Sequence, residues 1–145
     1  MYWTVGGPNP KIERAHMDGS NRTVIITGLK RPNDLTIDFK KRLLYFVDTE
    51  NNVIERANLD GTNRTVIVQM PKITAKPFAL TLFEDFIYWS DWVLNSIERA
   101  NKTTGLNRTR IQDKVDYIMD VLVFHSSRQE GTYSLNIRAV NEGYK

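Results

Sequence analysis

The 145-residue sequence contains no cysteine. Disulfide bonds, a thiolate nucleophile and cysteine-ligated metal sites are therefore excluded. Long apolar runs are also missing, since no stretch approaches the roughly 20 residues that a membrane-spanning helix needs. No secretory signal peptide is recognisable at Met1, so we expect any extracellular form of this chain to be part of a longer protein.

Charge of one sign is not concentrated anywhere in the chain. The 20 lysine and arginine residues are interspersed among 17 acidic residues, which gives a net charge of +3. Nucleic-acid binding is not expected, because it normally uses a clustered basic surface. Only two histidines are present, and no histidine, aspartate and glutamate spacing resembles a zinc site. His125 and Ser126 do not suggest a hydrolytic pair, since adjacent residues of a strand point to opposite faces.

The chain does contain a threefold repeat. Aromatic tetrapeptides begin 43 residues apart: YWTV at Tyr2–Val5, YFVD at Tyr45–Asp48 and YWSD at Tyr88–Asp91. Each is followed by a related Ile-Glu-Arg-Ala passage that ends in Asn-Arg-Thr, at Ile12–Ile25, Ile54–Ile67 and Ile97–Ile111. A constant period of this length indicates a repeat architecture.

Each complete repeat reads as four short strands joined by tight turns. In the middle unit, alternating or continuous apolar patterns predict strands at 35–39, 43–47, 53–58 and 64–68. Such a sheet buries both faces only by stacking on its neighbours, and radial stacking gives a β-propeller. We expect an all-β fold with units at about 1–31, 32–76 and 77–116, the first lacking its opening strand, a closing strand at 119–125, and a weakly ordered tail at 130–145.

The tetrapeptides, the Ile-Glu-Arg-Ala passages and the Asp60-Gly61 hairpin resemble the YWTD repeats of the low-density lipoprotein receptor family. The resemblance covers about residues 2–129 and implies an incomplete six-bladed propeller, with about three four-stranded antiparallel blades. Lys102-Thr-Thr-Gly and Asp116–Gln129 resemble the closing part of a propeller, the third, in the Wnt co-receptor branch. A cysteine-rich module follows in those proteins, and residues 130–145 contain no counterpart to it.

The resemblance also implies which residues carry structure. The motif carboxylates Asp48 and Asp91 are expected to accept backbone N–H groups or an arginine from a neighbouring strand, such as Arg56 or Arg99. Val5 replaces the carboxylate in the first unit and cannot accept these bonds. We therefore expect the first blade to be less firmly attached.

Function in such propellers lies at the top rim, and in the Wnt co-receptor branch the rim binds Wnt ligands or Dickkopf-type antagonists. The positions that match are Arg31, Glu50, Phe78, Trp92, Tyr117 and Met119. Aromatic, methionine and arginine side chains are typical of the energetic centre of a protein interface. Phe78 and Met119 can equally be interpreted as packing between blades, and Gly6 stands where the first unit would place a counterpart of Trp92.

Other functions remain open at this point. A lipoprotein or endocytic receptor propeller releases cargo at low pH through titrating histidines, of which this chain has only two. A propeller hydrolase would hold a metal in the channel, with Asp34, Asp38 and Asp120 as candidate ligands. We expect neither catalysis nor a cofactor.

Two surface features complete the expectations. Four Asn-x-Thr triplets, at Asn21, Asn63, Asn101 and Asn107, are either glycosylation sites of a membrane-anchored, extracellular parent protein or turn residues. Three blades of six would also leave two sheet faces open. We therefore expect self-association through these faces.

Overall fold

The fold is described for residues 1–125 of a computed structural model, so the tail expected at 130–145 lies outside the described residues. Within residues 1–125 the chain forms eleven β-strands and no helix, and therefore no helix that is long and apolar enough to cross a bilayer. The strands are β1 (Tyr2–Val5), β2 (Lys11–Arg14), β3 (Thr23–Ile26), β4 (Pro32–Asp38), β5 (Leu43–Asp48), β6 (Val53–Asn58), β7 (Thr65–Gln69), β8 (Pro77–Phe83), β9 (Phe86–Asp91), β10 (Ser96–Asn101) and β11 (Thr109–Gln112).

The strands form three antiparallel sheets, one for each repeat. Blade 1 is the three-stranded sheet β1-β2-β3, blade 2 is β4-β5-β6-β7 and blade 3 is β8-β9-β10-β11. Every strand pairs with its neighbour in sequence, which is the meander expected of propeller blades. The predicted all-β, incomplete propeller is confirmed, and so is the missing opening strand of the first unit.

The two apolar cores lie between the blades. Ile12 and Ile26 of blade 1 pack with Leu44, Phe46 and Ala57 of blade 2. The opposite face of blade 2 supplies a second core with blade 3, which includes Tyr45, Val47, Ile54, Ile87 and Trp89. β5 therefore buries both of its faces, which explains its unbroken apolar sequence.

Glycines in the outer hairpins allow neighbouring blades to approach closely. Gly61 and Gly105 have φ values of +86° and +70°. A Cβ at Gly61 would lie 2.0 Å from the carbonyl oxygen of Ile25 in blade 1, and one at Gly105 would lie 1.9 Å from that of Ile67 in blade 2. Gly19 has the same role in the hairpin of blade 1, yet a Cβ there meets no atom within 4 Å among the described residues. The close approach therefore belongs to the blade interfaces and not to the hairpin itself.

A closing strand was predicted at 119–125. These residues form no strand in the structure. A strand needs a partner for its backbone N–H and C=O groups, and blade 3 already has its four strands. The segment nevertheless crosses blade 3, since the Trp92 indole Nε1–H donates to the carbonyl of Ile118 at 2.7 Å and the His125 ring lies 4.8 Å from the Phe83 ring.

Candidate ligand-binding rim

The motif aspartate of blade 2 closes the top of the blade, defined here as the end where the tetrapeptides finish. The Asp48 carboxylate is fully buried and accepts the backbone N–H groups of Lys30 and Arg31 at 2.9 and 2.8 Å. It also accepts the side-chain amide of Asn51 at 2.8 Å. Asp48 thereby attaches the segment that leads into β4.

The motif aspartate of blade 3 has the same arrangement. The buried Asp91 carboxylate accepts the backbone N–H groups of Lys76, Val93 and Leu94, each at 3.0 Å. Lys76 directly precedes β8, as Arg31 directly precedes β4. The two carboxylates therefore fix equivalent loops at the top of neighbouring blades.

The arginine partners suggested for these carboxylates lie elsewhere. In the β5–β6 register Asp48 is opposite Val53, whereas Arg56 is opposite Tyr45 near the other end of the strands. Three residues of strand separate Asp48 from Tyr45, which is about 10 Å. Arg99 likewise stacks over the Phe86 ring, 4.4 Å from its centroid, away from Asp91. The register therefore separates these arginines from the motif aspartates, which instead accept backbone N–H groups, the other alternative that was expected.

The predicted aromatic rim residues meet at the top of blade 3. Phe78, at the start of β8, and Trp92, just after β9, stack with centroids 3.8 Å apart and an interplanar angle of 15°. Both side chains are half-buried, and the indole holds Ile118 through the hydrogen bond described above. Tyr117 and Met119 are exposed and are the sequence neighbours of Ile118, so this bond holds their backbone at the top of blade 3.

The charged rim residues lie at the top of blade 2. Arg31 and Glu50 are both exposed. Arg31 donates its backbone N–H to Asp48, and Glu50 follows Asp48 by two residues in the sequence. Thr49, the blade 2 counterpart of Trp92, is instead buried, and its hydroxyl donates to the Pro77 carbonyl at 2.5 Å. The tops of blades 2 and 3 are therefore joined, which places the charged and the aromatic residues on one continuous edge.

Sequence reasoning missed a repeated ion-pair network. In each blade a buried glutamate of the Ile-Glu-Arg-Ala passage pairs with the arginine of Asn-Arg-Thr, and that arginine covers the aromatic ring opposite the glutamate. The three sets are Trp3, Glu13 and Arg22; Phe46, Glu55 and Arg64; and Trp89, Glu98 and Arg108. The signal was available, because each of these glutamates and arginines recurs at the same repeat position.

Within the described chain Asp34, Asp38 and Asp120, the candidate metal ligands, are not grouped as a metal site requires. Asp34 accepts the backbone N–H groups of Leu35 and of Leu80 in the next blade, each at 2.7 Å, and burial raises the pKa of this carboxyl. Asp38 pairs with the Lys102 ammonium at 2.7 Å. Within residues 1–125, no three histidine, aspartate or glutamate side chains are grouped closely enough to hold a metal ion. The contacts of Asp34 and Asp38 instead link blade 2 to blade 3.

The ion pair between Asp38 of blade 2 and Lys102 of blade 3 predicts that the attachment of blade 3 to blade 2 weakens in acid. Burial alone would raise the pKa of Asp38, but the hydrogen bond and charge of Lys102, with the N–H of Lys41, hold that pKa below its usual value. The stabilisation is therefore present above the unfolded pKa of about 3.9 and is lost as the pH falls through the lower folded value. We expect Asp38→Asn to lose about 2–3 kcal/mol at pH 7, since Lys102 stays buried without its counter-charge.

Urea unfolding of the wild type and of Asp38→Asn between pH 7 and pH 3 measures this contribution. The difference between the two proteins should shrink at the acid end of the series. Asp116→Asn, at an exposed carboxylate, is the control and should change stability by less than about 0.5 kcal/mol. A difference that stayed constant over the whole range would contradict the role of the ion pair.

Three of the four Asn-x-Thr triplets share one turn geometry. Asn21, Asn63 and Asn107 are exposed and have φ values of +54°, +55° and +58°. The threonine two residues after each donates its hydroxyl to the carbonyl of that asparagine, at 3.1–3.2 Å. Asn101 differs, since its side-chain oxygen accepts the N–H groups of Thr103 and Thr104. Turn chemistry therefore accounts for the triplets, and the three exposed amides also lie where a glycan would be accessible.

Meander blades with buried inter-blade cores and motif aspartates at their tops define a β-propeller of YWTD repeats. The family model for the low-density lipoprotein receptor repeat class B matches residues 1–39. The chain belongs to this class of repeat protein. It is 51% identical over 125 residues to low-density lipoprotein receptor-related protein 5 of Homo sapiens, and 51% identical over 126 residues to that of Mus musculus. These matches cover 86% of this chain and 8% of the relatives, so the chain spans a small part of their length.

Solved structures agree with the fold. A crystal structure of a nidogen–laminin complex matches with a TM-score of 0.65 and 31% identity, over 77% of this chain and 41% of that chain. Regucalcin of Agrobacterium tumefaciens strain C58 matches with a TM-score of 0.59 and 20% identity, over 70% of this chain and 36% of that chain. At that identity regucalcin shows the propeller fold alone.

Proposed function

We propose that this chain is a non-catalytic, extracellular ligand-binding module of a Wnt co-receptor-type cell-surface receptor. Its top rim would bind Wnt ligands or Dickkopf-type antagonists, the partners that the family resemblance implies. The observation that carries the proposal is the stacked Phe78–Trp92 pair, which is hydrogen-bonded to the segment that carries the exposed Tyr117 and Met119. The similarity to low-density lipoprotein receptor-related protein 5 supports the receptor class.

The composition of the rim supports recognition of a protein. Stacking and the bond to Ile118 hold Trp92 in one orientation, so little side-chain entropy is lost when a ligand contacts it. Arg31 and Glu50 supply charges of both signs at the border, which favours orientation of a ligand more than affinity. A rigid aromatic centre with a charged border is the usual arrangement of an interface hot spot.

Trp92→Ala should weaken binding of a Dickkopf-type antagonist to the immobilised chain by about 30-fold, which corresponds to about 2 kcal/mol. The matched control is Phe39→Ala, because Phe39 is an 82% exposed aromatic residue beyond the opposite end of β4. This control should bind as the wild type does. Surface plasmon resonance measures both variants, and circular dichroism checks that each remains folded.

Two results would count against the proposal in different ways. Wild-type protein that bound neither the antagonist nor a Wnt ligand would overturn the function. Binding that Trp92→Ala left unchanged would keep the function and overturn the rim as its site.

A further inference from the structure

Blade 1 has an uncovered face, whereas the equivalent face is buried in blade 2 and in blade 3. Phe46 and Trp89, the aromatic residues of the ion-pair networks in blades 2 and 3, are completely buried because each faces the preceding blade. Trp3 occupies the same position in blade 1 and is only half-buried. Within residues 1–125, no blade covers the Trp3 face.

Blade 1 also lacks its innermost strand, and the consequence is visible in blade 2. Leu80 and Leu82 of β8 are 3% and 5% exposed, because strands β4 and β5 of blade 2 pack over them. Their counterparts in β4, Leu35 and Ile37, are only half-buried. In the described chain β1 pairs with β2 alone. One edge of β1 therefore has no neighbouring strand, and no strand covers the apolar side chains beside that edge.

Residues 119–125 have the sequence of such a strand and begin as β4 does, although they form no strand in the described chain. The Asp120 carboxylate accepts the N–H of Val121 at 2.7 Å, as the Asp34 carboxylate accepts that of Leu35 at the start of β4. From there the exposure alternates: Val121 is half-buried, whereas Leu122 and Phe124 are 79% and 84% exposed. The segment therefore carries two large apolar side chains on the face that points away from blade 3.

We propose that residues 119–125 of one copy complete blade 1 of a second copy, and that the reciprocal exchange closes a ring of six blades. The segment cannot reach β1 of its own copy, because blade 2 lies between blades 1 and 3. By the β4–β5 register, Asp120 would lie opposite Thr4 and Val121 opposite Trp3 of the partner copy. Leu122 and Phe124 would then cover the half-buried residues of β4 in that copy.

The geometry of the ring agrees with this exchange. A reciprocal exchange relates the two copies by a two-fold axis, so blade 3 of each copy would meet the open face of blade 1 of the other. The outer hairpins fit the same scheme. Gly61 lies against the Ile25 carbonyl of the preceding blade, and Gly105 lies against the Ile67 carbonyl of the preceding blade. Ile111 is the equivalent residue of blade 3, and it is 46% exposed. In the ring, Gly19 of one copy would lie on the Ile111 carbonyl of the other.

Light scattering coupled to size-exclusion chromatography tests the proposal on the full chain. The wild type should elute at twice the 16.8-kDa chain mass and dissociate on dilution. Leu122→Asp with Phe124→Asp should raise the concentration needed for the dimer at least tenfold, and Gly19→Ala should do the same by a different contact. Ile73→Asp, at a residue that is 90% exposed and outside the proposed interface, should leave the dimer unchanged.

Engineered cysteines locate the contact, because the chain has none of its own. Thr4→Cys with Asp120→Cys, or Trp3→Cys with Val121→Cys, should give a disulfide-linked dimer under mild oxidation. Adjacent antiparallel pairs alternate in spacing, so one of the two should lie at the closer separation that suits a disulfide. Thr4→Cys with Ile73→Cys is the control and should remain unlinked.

A monomer at all concentrations would overturn the proposal, since no second copy would then supply the missing strand. Assemblies larger than two copies would overturn the closed ring. A dimer that ignored the Leu122 and Phe124 substitutions and gave no cross-link at either cysteine pair would use another surface, which would also overturn the exchange.

Discussion

Gly61→Ala is expected to destabilise the protein by about 3 kcal/mol or more. The residue has a φ of +86°, where an alanine costs about 1–2 kcal/mol. Its Cβ would also lie 2.0 Å from the Ile25 carbonyl, so blades 1 and 2 must separate, and overpacking of this kind costs about 1–3 kcal/mol. Urea unfolding followed by tryptophan fluorescence measures the loss.

Gly19→Ala is the matched control for this prediction. It has a nearly identical φ of +83° but no atom within 4 Å of the added Cβ. At a dilution where copies are separate, only the backbone cost of about 1–2 kcal/mol should remain. Equal losses in the two variants would show that the Gly61 contact with blade 1 contributes nothing, and would sink the interpretation of these glycines as inter-blade contacts.

The repeat made most of the fold predictable. The strands of blade 2 were expected at 43–47 and 53–58 and are observed at Leu43–Asp48 and Val53–Asn58. These boundaries were accurate because apolar alternation and the Asp-Gly turn act locally. The segment 119–125 forms no strand within residues 1–125 for the opposite reason. Its sequence suits a strand, but strand formation depends on a partner that residues 1–125 of a single copy do not provide.

The site was predictable only in part. Matching by repeat position selected Phe78 and Trp92 as candidates, but their stacking depends on how the start of β8 and the segment after β9 meet. The suggested pairing of Arg56 with Asp48 and of Arg99 with Asp91 is not observed, because it was based on charge alone and took no account of strand register. Register also explains why the ion-pair networks were missed. Each network depends on a glutamate and an aromatic residue that lie opposite each other on neighbouring strands, as Glu55 and Phe46 do.

The ion-pair networks join the repeat sequence to the assembly of the blades. Arg64 makes two hydrogen bonds with Glu55, at 2.5 and 2.7 Å, and donates another to the Thr27 carbonyl of the segment between blades 1 and 2. The hydrogen bonds that Arg64 donates to Glu55 raise the pKa of Arg64 above its ordinary value. One arginine thus connects its own blade to the segment that leads from blade 1.

Arg64→Met is expected to cost about 3 kcal/mol, because the Glu55 side chain is only 5% exposed and would lose its counter-charge. Changing both partners, in Arg64→Met with Glu55→Met, should cost less than Arg64→Met alone, since no unpaired charge is then left inside. A double-mutant cycle by urea unfolding, completed with Glu55→Met, gives the coupling energy. Arg22→Met in blade 1 should cost less than Arg64→Met, because Arg22 is 62% exposed and Lys11 still pairs with Glu13 at 3.1 Å. A double variant as unstable as the sum of its two single variants would mean that Arg64 and Glu55 act independently, and the network would then be a set of separate contacts.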